Sequence, residues 1–72
     1  MSKTNENKTD TEIVTKLCRA AKQGDAEALY QLGFRYLNGK GIPLNPDMAK
    51  ECWQKAAELG HEGAKELLHK WE

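Results

Sequence analysis

The chain is predicted to be all-α, an α-α superhelix (solenoid) of stacked antiparallel helix hairpins with four helices and about two repeats. Three observations carry this. Apolar residues recur at helical spacing in four separate segments, glycine ends each of the first three, and the sequence overlays on itself after a shift of 36 positions. No segment alternates with the two-residue period of a strand.

Taking the segments in order, residues 1–9 are polar and unpatterned, which predicts a disordered N-terminal tail before a helical domain over 10–72. Thr9 and Glu12 have capping-box spacing. The first helix is expected over about 11–23, with Ile13, Val14, Leu17, Cys18, Ala20 and Ala21 on one side and Gly24 as the left-handed terminator.

Asp25 follows as an N-cap, so the link is a residue or two and the next helix, 26–38, must run antiparallel to the first. Ala28, Leu32 and Tyr36 form its main stripe, while Tyr30, Phe34 and Leu37 extend the apolar arc to a second face. A helix apolar over so wide an arc needs cover from two sides. Gly33 inside it points to close approach by a neighbour.

Asn38-Gly39-Lys40-Gly41 turns the chain, and Ile42 and Leu44 are expected to tuck the loop onto the core. The two glycines lack the strand and the G-K-[ST] ending of a phosphate loop. Asn45-Pro46-Asp47 supplies a cap, a proline at the first helical position and an acid in the first turn. The third helix is placed at 46–59, with Met48, Ala49, Cys52, Trp53, Ala56, Ala57 and Leu59 inward. Gly60 ends it. The fourth, 61–71, sets Ala64, Leu67, Leu68 and Trp71 on one face, with Trp71 placed to cap the end or dock on another copy.

Under the 36-residue shift Ala20, Ala21, Gly24, Ala28 and Leu32 fall on Ala56, Ala57, Gly60, Ala64 and Leu68. These are the positions that stacking of helix pairs constrains. In the central unit Ala28, Leu32, Gly33, Tyr36, Gly39, Gly41, Ile42, Asn45, Ala49, Lys55, Ala56, Ala57 and Gly60 stand in register with the Sel-one-like repeat, a relative of the tetratricopeptide repeat, and the chain resembles that family. It departs at Met48, where a basic residue is usual, and at Cys52, where an aromatic is usual; Trp53 is placed to fill the missing volume. The resemblance implies a scaffold or adaptor for other proteins. By register with the tetratricopeptide relatives, whose first helix lines the concave groove, it nominates Glu27, Tyr30, Phe34, Leu37 and Asn38, with Glu66 and Lys70, as partner-binding residues. The helical wheel separately puts Tyr30 and Phe34 off the main stripe.

The chemistry of the remaining residues adds no enzyme constellation. Eleven basic and eleven acidic residues cancel, which removes the electrostatic case for nucleic acid or an anionic membrane. No apolar run approaches the roughly 20 residues of a span. The single serine, Ser2, lies in the expected tail, and no base faces a nucleophile. Cys18 and Cys52 stand 34 residues apart, and His61 and His69 more than two helical turns apart, so neither a metal nor another cofactor is expected. With no secretory signal, a cytoplasmic site and free thiols are expected. The expected function is a non-enzymatic adaptor binding a protein or peptide on the helix 2/helix 4 face. The alternative is self-association as a homo-oligomer, because solenoids need about three repeats for stability.

Overall fold

The computed structural model describes the backbone of residues 5–71 and the side chains of residues 9–70. Four helices follow one another: α1 (Asn5–Lys22), α2 (Ala26–Asn38), α3 (Pro46–Glu58) and α4 (Glu62–Trp71). Among the described residues there is no strand. Each helix packs on its sequence neighbour, so α2 is clasped by α1 and α3, and α3 by α2 and α4. The result is an elongated slab of 42 × 25 × 15 Å. Its buried centre comprises Val14 from α1, Leu29 and Leu32 from α2, Ala49, Cys52, Trp53 and Ala56 from α3, and Ala64 from α4.

The two tight corners are built alike. After α1, Gly24 (φ 88°) donates its N–H to the Ala21 carbonyl at 3.0 Å and Asp25 donates to Ala20 at 3.1 Å. After α3, Gly60 (φ 98°) donates to Ala57 at 2.9 Å and His61 donates to Ala56 at 3.0 Å. Both glycines take the left-handed conformation that a side chain would oppose, and both return helical carbonyls a donor. The next residue caps the following helix each time. The Asp25 carboxylate accepts from Ala28 N–H at 3.2 Å, and His61 Nδ1 accepts from Ala64 N–H at 3.0 Å. The repeat is therefore a repeat of hydrogen bonds as well as of residues.

Asn45 caps α3 as expected, its side chain accepting from Met48 N–H at 3.2 Å with Pro46 at the first helical position. In the preceding loop Ile42 packs on the core, but Leu44 is 62% exposed. Asn45 N–H reaches back to the Tyr36 carbonyl at 2.9 Å, which seats the end of the loop over the C-terminus of α2 and leaves Leu44 above Gly39 instead of over the core. Leu59, expected inward, is 54% exposed although its N–H still donates to the Lys55 carbonyl at 3.1 Å; it is the cap at the C-terminal end of α3, beyond the buried stripe of Ala49, Cys52, Trp53 and Ala56. The fourth helix likewise begins at Glu62, His61 serving as its cap.

The largest departure is at the start. α1 begins at Asn5, not near residue 11, so Thr9 and Asp10 lie inside a helix and the expected capping box is not its start. No proline or glycine between residues 5 and 10 halts the helix. Two contacts hold Asp10 against the rest of the fold. Its carboxylate accepts from Arg35 Nη1 at 3.2 Å, and its carbonyl abuts Gly41 so closely that a Cβ there would collide with it. Residues 1–4 of the expected tail and the Trp71 side chain lie outside the described residues.

Candidate functional site

The residues nominated from sequence fall into two groups on α2 and α4. Glu27, Tyr30 and Phe34 belong to one connected cluster. Tyr30 stacks on His61 with ring centroids 4.2 Å apart, Phe34 meets Tyr30 edge-on at 5.0 Å, and Phe34 in turn meets Trp53 at 5.1 Å. Trp53 is fully buried and donates its Nε1–H to the Tyr30 carbonyl at 3.0 Å. Tyr30 and Phe34 are thus half-buried, each with one side on the core and one toward solvent. Edge-on and offset contacts of this kind add roughly 0.5–1.5 kcal/mol each beyond the area they bury.

Glu27 is held at the rim of that cluster. Its Oε1 lies 2.7 Å from His61 Nε2, and its Oε2 accepts from Gln31 Nε2 at 2.9 Å. His61 Nδ1 already accepts the Ala64 N–H, so the ring proton sits on Nε2 and is donated to Glu27. The Gln31 bond first, and the His61 bond next, hold the Glu27 carboxyl below its usual 4.5. Leu37 is half-buried against the core, whereas Asn38, Glu66 and Lys70 stand exposed.

His61 and Gly63 join the aromatic cluster; neither is nominated for binding from sequence, where His61 is weighed only with His69 as a metal ligand. Gly63 leaves the space that the Tyr30 and His61 rings occupy. The signal for His61 was present in the 36-residue shift, which sets it on Asp25, a cap. Its second bond, across to Glu27, joins residues 34 positions apart and has no local trace.

A groove of about 480 Å³ lies on roughly the opposite side of α2, given ~100° per residue. Leu29, Leu32 and Tyr36 floor it, α1 contributes Cys18, Ala21 and Lys22, and α3 contributes Met48, Cys52 and Lys55 among others. Both cysteines are free, as expected, but sequence reasoning did not bring them into one cavity. Their separation of 34 positions is one repeat less two residues, which puts them on α1 and α3, equivalent helices on either side of α2.

Two hairpin corners of the same hydrogen-bond pattern, one repeat length apart, define a helical-repeat solenoid. The Sel1 repeat profile matches residues 26–61, the corner-to-corner unit just described, and the chain belongs to the Sel1 repeat family. The chain is similar to DAP3-binding cell death enhancer 1 of Rattus norvegicus, 41% identical over 49 residues, which covers 68% of this chain and 10% of the relative. It is 40% identical over 55 residues to the protein of the same name from Mus musculus, covering 76% of this chain and 11% of that one. The chain thus spans about a tenth of the length of these relatives. No solved structure matches it.

Proposed function

We propose that this chain is a non-enzymatic protein-interaction module, a small adaptor that grips a protein or peptide on the α2/α4 face. The observation that carries the reading is the half-buried pair Tyr30 and Phe34, fixed by ring contacts to His61 and Trp53. Aromatic side chains already held in place lose little freedom on docking, and such residues dominate binding energy at interfaces. Asn38, Glu66 and Lys70 are exposed, and the proposal assigns them the polar rim of the interface. Membership of the Sel1 repeat family supports the same reading. So does similarity to relatives whose name describes a protein that binds another protein. Free thiols suit a reducing compartment, and the proposal sets the module in the cytoplasm.

The test is affinity capture with the intact chain as bait, compared with an Asn38→Arg/Glu66→Arg variant and a Leu44→Ser control. Asn38, Glu66 and Leu44 are all exposed, so circular dichroism should show three equally folded proteins. The proposal expects a protein retained by the wild type and the Leu44→Ser control and lost from the double variant. Identical captured proteins from all three baits would remove the α2/α4 face from the account.

A further inference from the structure

We propose that α1 offers a second docking surface, the stripe Ile13, Leu17 and Ala20, and that this stripe takes an acidic amphipathic helix from another protein. The repeat shift locates the surface. Positions 13, 17 and 20 correspond, 36 residues on, to Ala49, Trp53 and Ala56 of α3, and all three of those are fully buried. α2 covers that stripe, with Trp53 lying across Gly33 and meeting the Phe34 ring. Among the described residues no helix takes that place on α1. Leu17 rests on the core by one side, while Ile13 and Ala20 are half-buried and stand outside both the buried cluster and the described residues packed against it. The counterpart of the α2–α3 contact, the most extensive in the fold, is therefore missing on this side of the chain.

Geometry and charge define the guest. Asn45 bonds Tyr36 near the C-terminal end of α2 and His61 bonds Glu27 near its N-terminal end, so α2 runs antiparallel to the helix it covers. A guest in the equivalent place runs antiparallel to α1. Anchors at i, i+4 and i+7 on α1 call for an apolar stripe of helical spacing on that guest. Leu17 is smaller than the indole at the equivalent position, so the guest needs no glycine opposite it. Lys16 and Arg19 stand exposed along one edge of the stripe with Glu12 the one acid among them, so this edge is net positive and favours carboxylates on the guest. A second copy of the chain does not meet that need. Its end helix, α4, carries Lys65, His69 and Lys70 at the positions equivalent to Leu29, Gly33 and Phe34, which would bring lysines to Lys16 and Arg19.

The probe is a fluorescein-labelled peptide of residues 25–39, the helix that covers α3, carrying Gly33→Ala and Arg35→Glu to raise its helix propensity and its acidity. Fluorescence anisotropy with the intact chain at low salt should show saturable binding of one peptide per chain. Ile13→Asp should weaken it about 10-fold or more, the size of a lost interface anchor, with the circular dichroism of the chain unchanged. Lys16→Glu/Arg19→Glu, a purely surface change, should weaken it about fivefold and should instead favour a second peptide with Arg35 restored and Glu27→Lys. Asn38→Arg/Glu66→Arg should bind the probe like the wild type, which separates this surface from the α2/α4 face. No saturable binding, equal affinity in Ile13→Asp, or an unaltered charge preference in Lys16→Glu/Arg19→Glu would each overturn the proposal. So would a wild-type dimer in sedimentation that Ile13→Asp disperses, since a second copy would then occupy the stripe.

Discussion

The indole of Trp53 lies across Gly33, on the patch of α2 where any other residue would carry its Cβ. The same indole donates its N–H to the carbonyl of Tyr30, one turn earlier in that helix. Helix propensity and packing make opposite predictions at this position. Propensity says that Gly33→Ala gains roughly 1 kcal/mol. Packing says that the new methyl meets a ring with no exposed surface and nowhere to retreat, an overfilling that costs about 1–3 kcal/mol and also strains the indole hydrogen bond. We predict a net loss of about 1–2 kcal/mol for Gly33→Ala in urea unfolding followed by circular dichroism. The loss should shrink when Trp53 is also replaced by leucine, because the two positions are coupled. A Gly33→Ala chain as stable as the wild type would refute this packing.

His61 has three simultaneous contacts, which single substitutions can separate. It caps α4 through Nδ1, bonds Glu27 through Nε2 and stacks on Tyr30. His61→Ala removes all three and should cost about 1–2 kcal/mol, the range for loss of an N-cap plus a ring contact. His61→Asn keeps an acceptor for the Ala64 N–H and should fall between the alanine variant and the wild type. Equal stabilities for the asparagine and alanine variants would mean that the cap contributes nothing.

These contacts show what the sequence could and could not disclose. Corners were legible because the cause is local. Gly24, Asp25, Gly60, Asn45 and Pro46 each have one conformational or capping role that residue type alone dictates, and each takes it. The close approach at Gly33 was legible as a gap in a helix, though not the identity of the side chain that fills it. What escaped is long-range. Arg35 holds Asp10 and Glu27 meets His61 across 25 and 34 positions, and neither partner has a signature of its own. The start of α1 was misjudged for that reason: a capping-box spacing at Thr9 and Glu12 is a local cue, while the contacts of Asp10 with Arg35 and Gly41 are tertiary. Leu44 lies off the core because the Asn45 bond to the Tyr36 carbonyl sets the course of the loop, and Leu59 because it stands about one turn past Ala56, the last buried residue of α3.

The Glu27 carboxyl gives the fold a pH dependence of known sign. Its hydrogen bonds from Gln31 and His61 hold it below its usual 4.5 in the folded chain. The unfolded chain therefore takes up this proton first as pH falls. The contribution is complete above that usual value and is lost as pH drops through the lowered folded value. Comparing urea midpoints at neutral pH and at about pH 3, Glu27→Gln should lose less stability on acidification than the wild type. The difference should be small, since the carboxylate is more than half exposed and water screens it. Parallel pH profiles for the two chains would show that Glu27 does not respond to folding.

Growth of the stack beyond α4 can be predicted from register. Trp53 of α3 seats on Gly33 and Phe34, with Leu29 in the same buried cluster, and the positions 36 residues beyond Leu29, Gly33 and Phe34 are Lys65, His69 and Lys70. All three are exposed on α4. A histidine stands where Gly33 admits the indole, and lysines stand where Leu29 and Phe34 supply apolar surface. A second copy therefore finds no seat on α4 like the one α2 offers α3, and head-to-tail association should not occur. Sedimentation velocity across a wide concentration range should show no chain growth for the wild type. The triple variant Lys65→Leu/His69→Gly/Lys70→Phe should begin to associate, because it creates an apolar patch complementary to a helix and the contact is heterologous and need not close. Open-ended growth of the wild-type chain with concentration would show that charge on this face does not block stacking.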